Sequence, residues 1–150
     1  MKKVILFIAF TLMVAISVKA QNGTKYFSFR GGWVAESAYM GTLSFDLNTR
    51  YFNQNEVFAE YCQDYRTRSI KTFMGGFVVK PVLFRSKNTA VRYRFGGSIG
   101  TTLSSFVAAP QIGFELSQSL GSGFDFLVMN RNQVLLFGDI SEHWRVGLEV

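Results

Sequence analysis

Hydrophobic and polar residues alternate along much of this chain, most strictly from Gly41 to Phe52. In the segment GTLSFDLNTRYF, apolar side chains mostly occupy every second position, with Ser, Asp, Asn and Arg between them. Successive side chains of a β-strand point to opposite faces, whereas an α-helix repeats about every 3.6 residues. The segment is therefore predicted to be a strand with one apolar and one polar face.

A second long alternating segment runs from Asn88 to Leu103. Its apolar face carries Val91, Tyr93, Phe95, Ile99 and Leu103, and its polar face carries Arg92, Arg94, Ser98 and Thr102. Strands of transmembrane barrels need about 9 to 11 tilted residues, and both segments are long enough. Their length favours a membrane barrel over a soluble sandwich.

Six weaker segments have a compatible pattern. They are Lys25 to Val34, Glu56 to Arg66, Ser69 to Pro81, Pro110 to Gln118, Phe124 to Phe137 and His143 to Val150. Turn-forming Asn, Ser and Gly residues separate several of them, at 52–55, 85–88 and 120–123. We therefore predict an all-β fold, an antiparallel up-and-down transmembrane β-barrel of about eight strands.

The first twenty residues have the pattern of a secretory signal peptide. Lys2 and Lys3 precede an apolar stretch, and Val18-Lys19-Ala20 is a small-x-Ala cleavage site. The apolar stretch is shorter than the roughly 20 residues of a spanning helix. We expect a cleaved signal at 1–20 and a barrel domain at 21–150, located in the outer membrane.

The mature chain is only mildly basic. Cleavage after Ala20 would leave 13 basic and 10 acidic residues, a net charge near +3. The arginines and aromatic residues of 91–95 point to opposite faces of a strand, so they cannot form one stacking groove. No direct nucleic-acid binding is expected.

The final segment, HWRVGLEV, also alternates but contains only eight residues. Many outer-membrane barrels end on a longer strand that closes with an aromatic residue, whereas this sequence stops at Val150. Two readings stay open, a short final strand or a truncated C-terminus.

Several charged residues fall on the polar faces of the predicted strands. They are Asp46, Arg50, Glu60, Arg92, Arg94 and Glu115. An eight-stranded barrel has an interior just wide enough for side chains to fill it. Because an unpaired charge away from water costs several kcal/mol, we expect these residues to form ion pairs that fill the barrel rather than line a conducting pore.

Sequence signals for catalysis or metal binding are weak. His143 is the only histidine and Cys62 the only cysteine, so a disulfide within the chain is impossible. No strand-to-helix G-x-S-x-G segment and no metal-ligand spacing occurs. A non-enzymatic protein without a metal or cofactor is expected.

Glycine pairs at 31–32, 75–76 and 96–97 fall inside predicted strands. None opens a helix, as a phosphate-binding loop requires. They are interpreted as bends or close backbone approaches.

Tyr and Trp residues near strand ends fit an interfacial aromatic girdle; they are Tyr26, Trp33, Tyr39, Tyr51, Tyr61 and Trp144.

Two segments resemble a known family. They are GGFVVKPVLFRSKNTAVRYRFGGSIGTTL, residues 75–103, and QIGFELSQSLGSGFDFLVMNRNQVLLFGDISEHWRVGLEV, residues 111–150. Together with the signal ending at Ala20-Gln21, they resemble the TraO family of transfer proteins from the conjugative transposons of Bacteroidetes. The resemblance implies an outer-membrane component of a DNA-transfer apparatus, in contact with outer-membrane lipid and other apparatus proteins.

Two alternatives stay open. One is a general small outer-membrane barrel for envelope integrity, adhesion or small-solute passage. The other is a secreted, soluble lipid-binding barrel with its apolar face turned inward. They differ in which face of the strands points into the barrel and in whether the interior conducts.

Overall fold

The computed structural model describes residues 25–35, 38–64, 70–121, 123–138 and 144–150. The predicted signal peptide at 1–20 and His143 lie outside the described residues. Within these ranges, no helix has the length and hydropathy required to cross a membrane.

The described chain is all-β, as predicted. Its strands are β1 (Lys25–Val34), β2 (Ala38–Asn48), β3 (Gln54–Asp64), β4 (Lys71–Lys80), β5 (Val82–Arg85), β6 (Thr89–Thr101), β7 (Phe106–Gly121), β8 (Phe124–Val134) and β9 (Trp144–Glu149). A single 3-10 turn, Arg50–Phe52, joins β2 to β3.

The strands close into an eight-stranded antiparallel barrel, which confirms the predicted architecture. Each strand pairs with its neighbour in sequence, except that β4 pairs directly with β6. The ring closes where β1 pairs with β9 over Gly32–Val34. Two hydrogen bonds between the backbones of Gly31 and Val150, of 3.0 and 2.9 Å, extend this contact by one residue pair.

The short strand β5 continues the path of β4 beyond Pro81 and pairs with the first part of β6. It was not predicted, because proline has no N–H for a β-ladder and marks the end of a regular strand. The carbonyl of Pro81 nevertheless accepts a 3.0 Å hydrogen bond from the N–H of Tyr93. The two pieces therefore form one wall of the barrel.

The predicted end of β2 is wrong. The alternation continues to Phe52, but the strand ends at Asn48. Tyr51 and Phe52 have φ of 60° and 63°, and the N–H of Thr49 donates to the carbonyl of Asn53 over 2.7 Å. The alternation of polar and apolar residues continues by chance into the turn after β2. Arg50 therefore lies in this turn and not on the polar face of the strand.

Other predicted boundaries shift by a few residues. The strand β7 is longer than the predicted Pro110 to Gln118, and β8 ends three residues before the predicted Phe137. The final strand β9 spans six residues, and both readings of the C-terminus stay open.

Apolar side chains point out of the barrel and polar ones point in. In β1, Phe27 and Phe29 are 72% and 74% exposed, while Arg30 is buried. Exposed large apolar side chains of the strands include Trp33, Tyr39, Leu43, Phe73, Phe77, Phe95, Ile99, Phe106, Ile112, Phe114, Leu116, Phe124, Phe126, Trp144, Val146 and Leu148. The outer surface is thus a nearly continuous apolar belt.

The glycine pairs mark close backbone approaches, as predicted. A Cβ at Gly96 would lie 2.1 Å from the carbonyl oxygen of Phe77, and one at Gly76 would lie 2.5 Å from the ring of Phe58. A Cβ at Gly31, by contrast, would meet nothing within 4 Å. In each pair one glycine lies too close to its neighbours for a Cβ, whereas a Cβ at the other would make ordinary contacts or none.

Several of the predicted girdle residues lie outside the barrel near one end. Trp33 pairs with Tyr39 across β1 and β2, and Trp144 is the first residue of β9. Tyr26 shares the inward side of β1 with Ser28 and Arg30, and it lines an interior cavity. The girdle prediction is therefore wrong for Tyr26.

Candidate functional site

The barrel interior holds most of the charged residues singled out from the sequence. Asp46, Glu60, Arg94 and Glu115 are buried, and Arg92 is half-buried beside Glu115. The backbone of the sixth, Arg50, lies in the 3-10 turn, and its side chain lies outside the described part of the structure. Its participation stays a prediction.

Lys80 of β4 lies at the centre of one half of the interior. Its Nζ is 2.6 Å from Oδ1 of Asp46 and 3.2 Å from Oε2 of Glu56. The same nitrogen is 3.0 Å from Oε2 of Glu115. Nη1 of Arg94 lies 2.7 Å from Oε2 of both Glu56 and Glu115. Two cations thus hold three carboxylates together.

Arg30 and Arg131 join this cluster to the other half of the interior. Arg30 pairs with Glu56 and also lies 3.5 Å from Glu149. Nε of Arg131 is 2.7 Å from Oε1 of Glu149, and its Nη1 pairs with Glu60. Each arginine therefore bridges two carboxylates from different strands.

Together these groups form one connected set, which we call the interior network. It consists of Arg30, Asp46, Glu56, Glu60, Lys80, Arg92, Arg94, Glu115, Arg131, Arg145 and Glu149. All eight strands of the barrel ring contribute to it. Its members among the described residues are six cationic and five acidic groups.

Neutral polar side chains complete the network. Gln133 Nε2 donates to Glu60 over 3.0 Å and to Gln111 over 3.3 Å. Arg145 donates to the hydroxyl of Thr72 over 3.1 Å. Removing one partner of a buried ion pair typically costs about 3–5 kcal/mol, because the other charge is left uncompensated. The interior charges are therefore mutually dependent.

Six members of the network were not singled out from the sequence: Arg30, Glu56, Lys80, Arg131, Arg145 and Glu149. The sequence did contain a signal for these residues, because each occupies an alternate position shared with the other polar residues of its strand. Lys80 was missed because it precedes Pro81, at the end of a predicted strand. Glu56 lies near the start of β3, yet its exposure is 0%.

The charged side chains inside the barrel pair with one another and fill its interior. Every carboxylate in the network has a cationic partner within 4.0 Å. Among the described residues, no group of three or more His, Cys, Asp or Glu side chains is arranged to hold a metal ion. The arrangement closes the middle of the barrel with paired charges.

A cavity of about 320 Å³ lies between this filled centre and one end of the barrel. Its inner wall carries Arg30, Asp46, Arg92 and Glu115. Its other walls come from Tyr26–Phe29 of β1 and Gly123–Leu127 beside and within β8.

Comparison with known proteins gave no match for this chain among protein-family models, curated proteins or solved structures.

Proposed function

We propose that this protein is a non-enzymatic outer-membrane β-barrel that serves as a structural component of a conjugative DNA-transfer apparatus. One observation carries the membrane part: an apolar belt surrounds a closed barrel whose buried interior is charged. Apolar surface of this extent is unfavourable in water but matches the hydrocarbon layer of a bilayer. Closure of the sheet satisfies backbone hydrogen bonds that lipid cannot satisfy.

Support for the transfer role comes from the resemblance of residues 75–103 and 111–150 to the TraO family. A filled interior fits a structural part better than a pore for solutes. On this view outer-membrane lipid surrounds the barrel, and other proteins of the apparatus contact its ends or its wall.

The apolar outer belt and the charged interior weigh against a soluble lipid-binding barrel. Such a protein needs an apolar lumen, whereas the described residues alone place eleven charged side chains in this lumen. Solute passage is disfavoured because ion pairs such as Arg131–Glu60 cross the lumen.

Cell fractionation tests the location. The mature chain should appear in the outer-membrane fraction as a band whose migration changes on heating, as for other stable membrane barrels. Recovery in the soluble fraction without detergent would refute the membrane assignment.

Deletion of the gene in a donor strain tests the transfer role separately. We expect the frequency of transposon transfer to fall and to recover when the intact gene is supplied in trans. Transfer at the wild-type frequency, with the protein still found in the outer membrane of the parent strain, would leave a general envelope barrel as the better description.

A further inference from the structure

Two asparagines of β8 interrupt the apolar belt. Side chains of this strand point alternately inward and outward, and the buried, inward ones are Met129, Arg131 and Gln133. Asn130 and Asn132 therefore point outward, where both are half-buried. Polar amides thus occupy two successive positions on the surface that the proposed membrane location places against lipid.

The two amides lie inside the belt and not at its border. Their outward neighbours along β8, and across the sheet on β7 and β9, are all apolar: Val128, Val134, Ile112, Phe114, Val146 and Leu148. The four neighbours on β7 and β9 are themselves exposed. Asn130 and Asn132 are therefore the polar centre of an apolar surface patch.

The amides use only part of their hydrogen-bonding capacity. Nδ2 of Asn132 donates to Oδ1 of Asn130 over 2.8 Å, and Nδ2 of Asn130 donates to the carbonyl oxygen of Gly147 over 3.4 Å. A primary amide has two N–H donors and one acceptor oxygen. Among the described residues, none donates to Oδ1 of Asn132, and one N–H of each asparagine is left without an acceptor.

Hydrocarbon supplies no partner for these groups. An amide transferred to an apolar medium without a hydrogen bond is unfavourable, and acyl chains neither donate nor accept hydrogen bonds. Valine or leucine at both positions would continue the belt without this cost. The unused donors and acceptor therefore indicate a protein surface opposite them, and this step rests on the proposed membrane location.

We propose that this face binds a second copy of the chain, so that the protein forms a dimer in the membrane with β8 at the centre of the interface. Two copies inserted in the same direction are related by a two-fold axis along the membrane normal, which places a residue near the axis opposite its own counterpart. The free oxygen and free N–H of Asn132 match the free N–H and oxygen of Asn132 in the other copy. An unrelated partner would need a matching amide at this depth, whereas a second copy has one by symmetry.

The shape of the barrel makes this contact compact. Strands of transmembrane barrels are tilted by about 35–45°, so the two β8 strands cross where they meet. Ile112 and Val146 flank Asn132 on its two sides, and in the dimer they cover the hydrogen bonds between the amides. A small interface of this kind gives a reversible dimer whose fraction depends on the ratio of protein to lipid.

Energy transfer between labelled barrels measures the association. The full-length mature chain carries a dye at Lys87→Cys, an exposed position between β5 and β6, while native Cys62 is buried. Donor-labelled and acceptor-labelled samples are mixed in vesicles of phosphatidylethanolamine and phosphatidylglycerol. Energy transfer should increase with the protein-to-lipid ratio and exceed the value for random mixing.

Asn132→Leu tests the amide contact. We expect this variant to associate about tenfold or more weakly, because the hydrogen bonds between the two copies are lost. Ala59→Leu is the matched control, since Ala59 is exposed on β3, on the opposite wall of the barrel. Its association should equal that of the wild type. A band that shifts on heating shows that each variant is folded.

Disulfide crosslinking locates the interface. Val146→Cys places a thiol beside Asn132 on the outer face, and Ala59→Cys places one on the opposite wall. Oxidation with copper phenanthroline in the same vesicles should join two copies through Val146→Cys and not through Ala59→Cys.

Several outcomes would overturn the proposal. They are energy transfer no greater than random mixing, unchanged association of the folded Asn132→Leu variant, and equal crosslinking of the two cysteine variants. A purified chain that stays monomeric, while Val146→Cys crosslinks to a different protein in native membranes, would overturn it in favour of a foreign partner. A folded monomer in the membrane would refute the dimer alone, whereas recovery of the chain in the soluble fraction would refute the membrane location and the dimer argued from it.

Discussion

Arg131 of β8 and Glu60 of β3 form an ion pair across the full width of the barrel. In the ring of eight strands, β8 is the fourth strand from β3 in either direction. A contact between diametrically opposite strands shows that side chains fill the lumen. The interior is therefore a packed polar core rather than an open channel.

This pair should make a measurable contribution to stability. We expect Glu60→Gln or Arg131→Gln alone to destabilise the barrel by about 3–5 kcal/mol, because each leaves a buried charge uncompensated. The double variant should lose less than the sum of the two single variants. Urea unfolding in detergent micelles measures all three. Strict additivity would show that the two side chains do not interact.

The interior network should also block ion flow. The wild-type barrel in liposomes is expected to give no steady single-channel currents. The variant Arg94→Ala with Glu115→Ala removes one charge of each sign from the centre of the network, and it should produce measurable conductance. Lys87→Ala, which changes an exposed residue, is the control. Steady currents through the wild-type protein would refute the filled interior.

Leu43 lies on the outer face in the middle of β2. If the belt faces lipid, Leu43→Arg should destabilise the inserted barrel by about 2–4 kcal/mol, the cost of arginine at the bilayer midplane. Leu103→Arg changes an exposed residue in the connection between β6 and β7, and it should be tolerated. Refolding into lipid vesicles at graded urea concentrations gives both values. Equal tolerance of the two substitutions would contradict a lipid-facing belt.

Glycines inside the strands should differ in their tolerance of a methyl group. Gly76→Ala places a Cβ 2.5 Å from both the carbonyl oxygen of Gly97 and the ring of Phe58. Overpacking of this kind costs about 1–3 kcal/mol. Gly31→Ala meets open space and should leave stability within about 1 kcal/mol of the wild type. The stability of the two variants can be compared by the temperature at which the folded band disappears on gels. A lower temperature for Gly31→Ala than for Gly76→Ala would refute the close approach at Gly76.

Cys62 offers a direct test of barrel closure. It is fully buried, on the inward side of β3. The folded protein should resist labelling by a polar maleimide, and labelling should follow the unfolding transition in urea. Rapid labelling of the folded protein would show that the interior is open to solvent beside β3.

Alternation along the chain was sufficient to predict most of the fold. It located eight of the nine strands and placed Asp46, Glu60, Arg92, Arg94 and Glu115 on polar faces, because strand geometry separates neighbouring side chains whatever the fold. The same rule failed at Arg50, where the alternation continues into a turn. It also missed β5, which follows Pro81.

Sequence by itself determined that each strand has one apolar and one charged face, since this depends only on residue order. Which face points inward was decided by the closed barrel, because alternation is symmetric between the two faces. Pairing of Arg131 with Glu60, and of Lys80 with three carboxylates, was likewise decided by closure, which brings together residues that lie 71 positions apart in the first case.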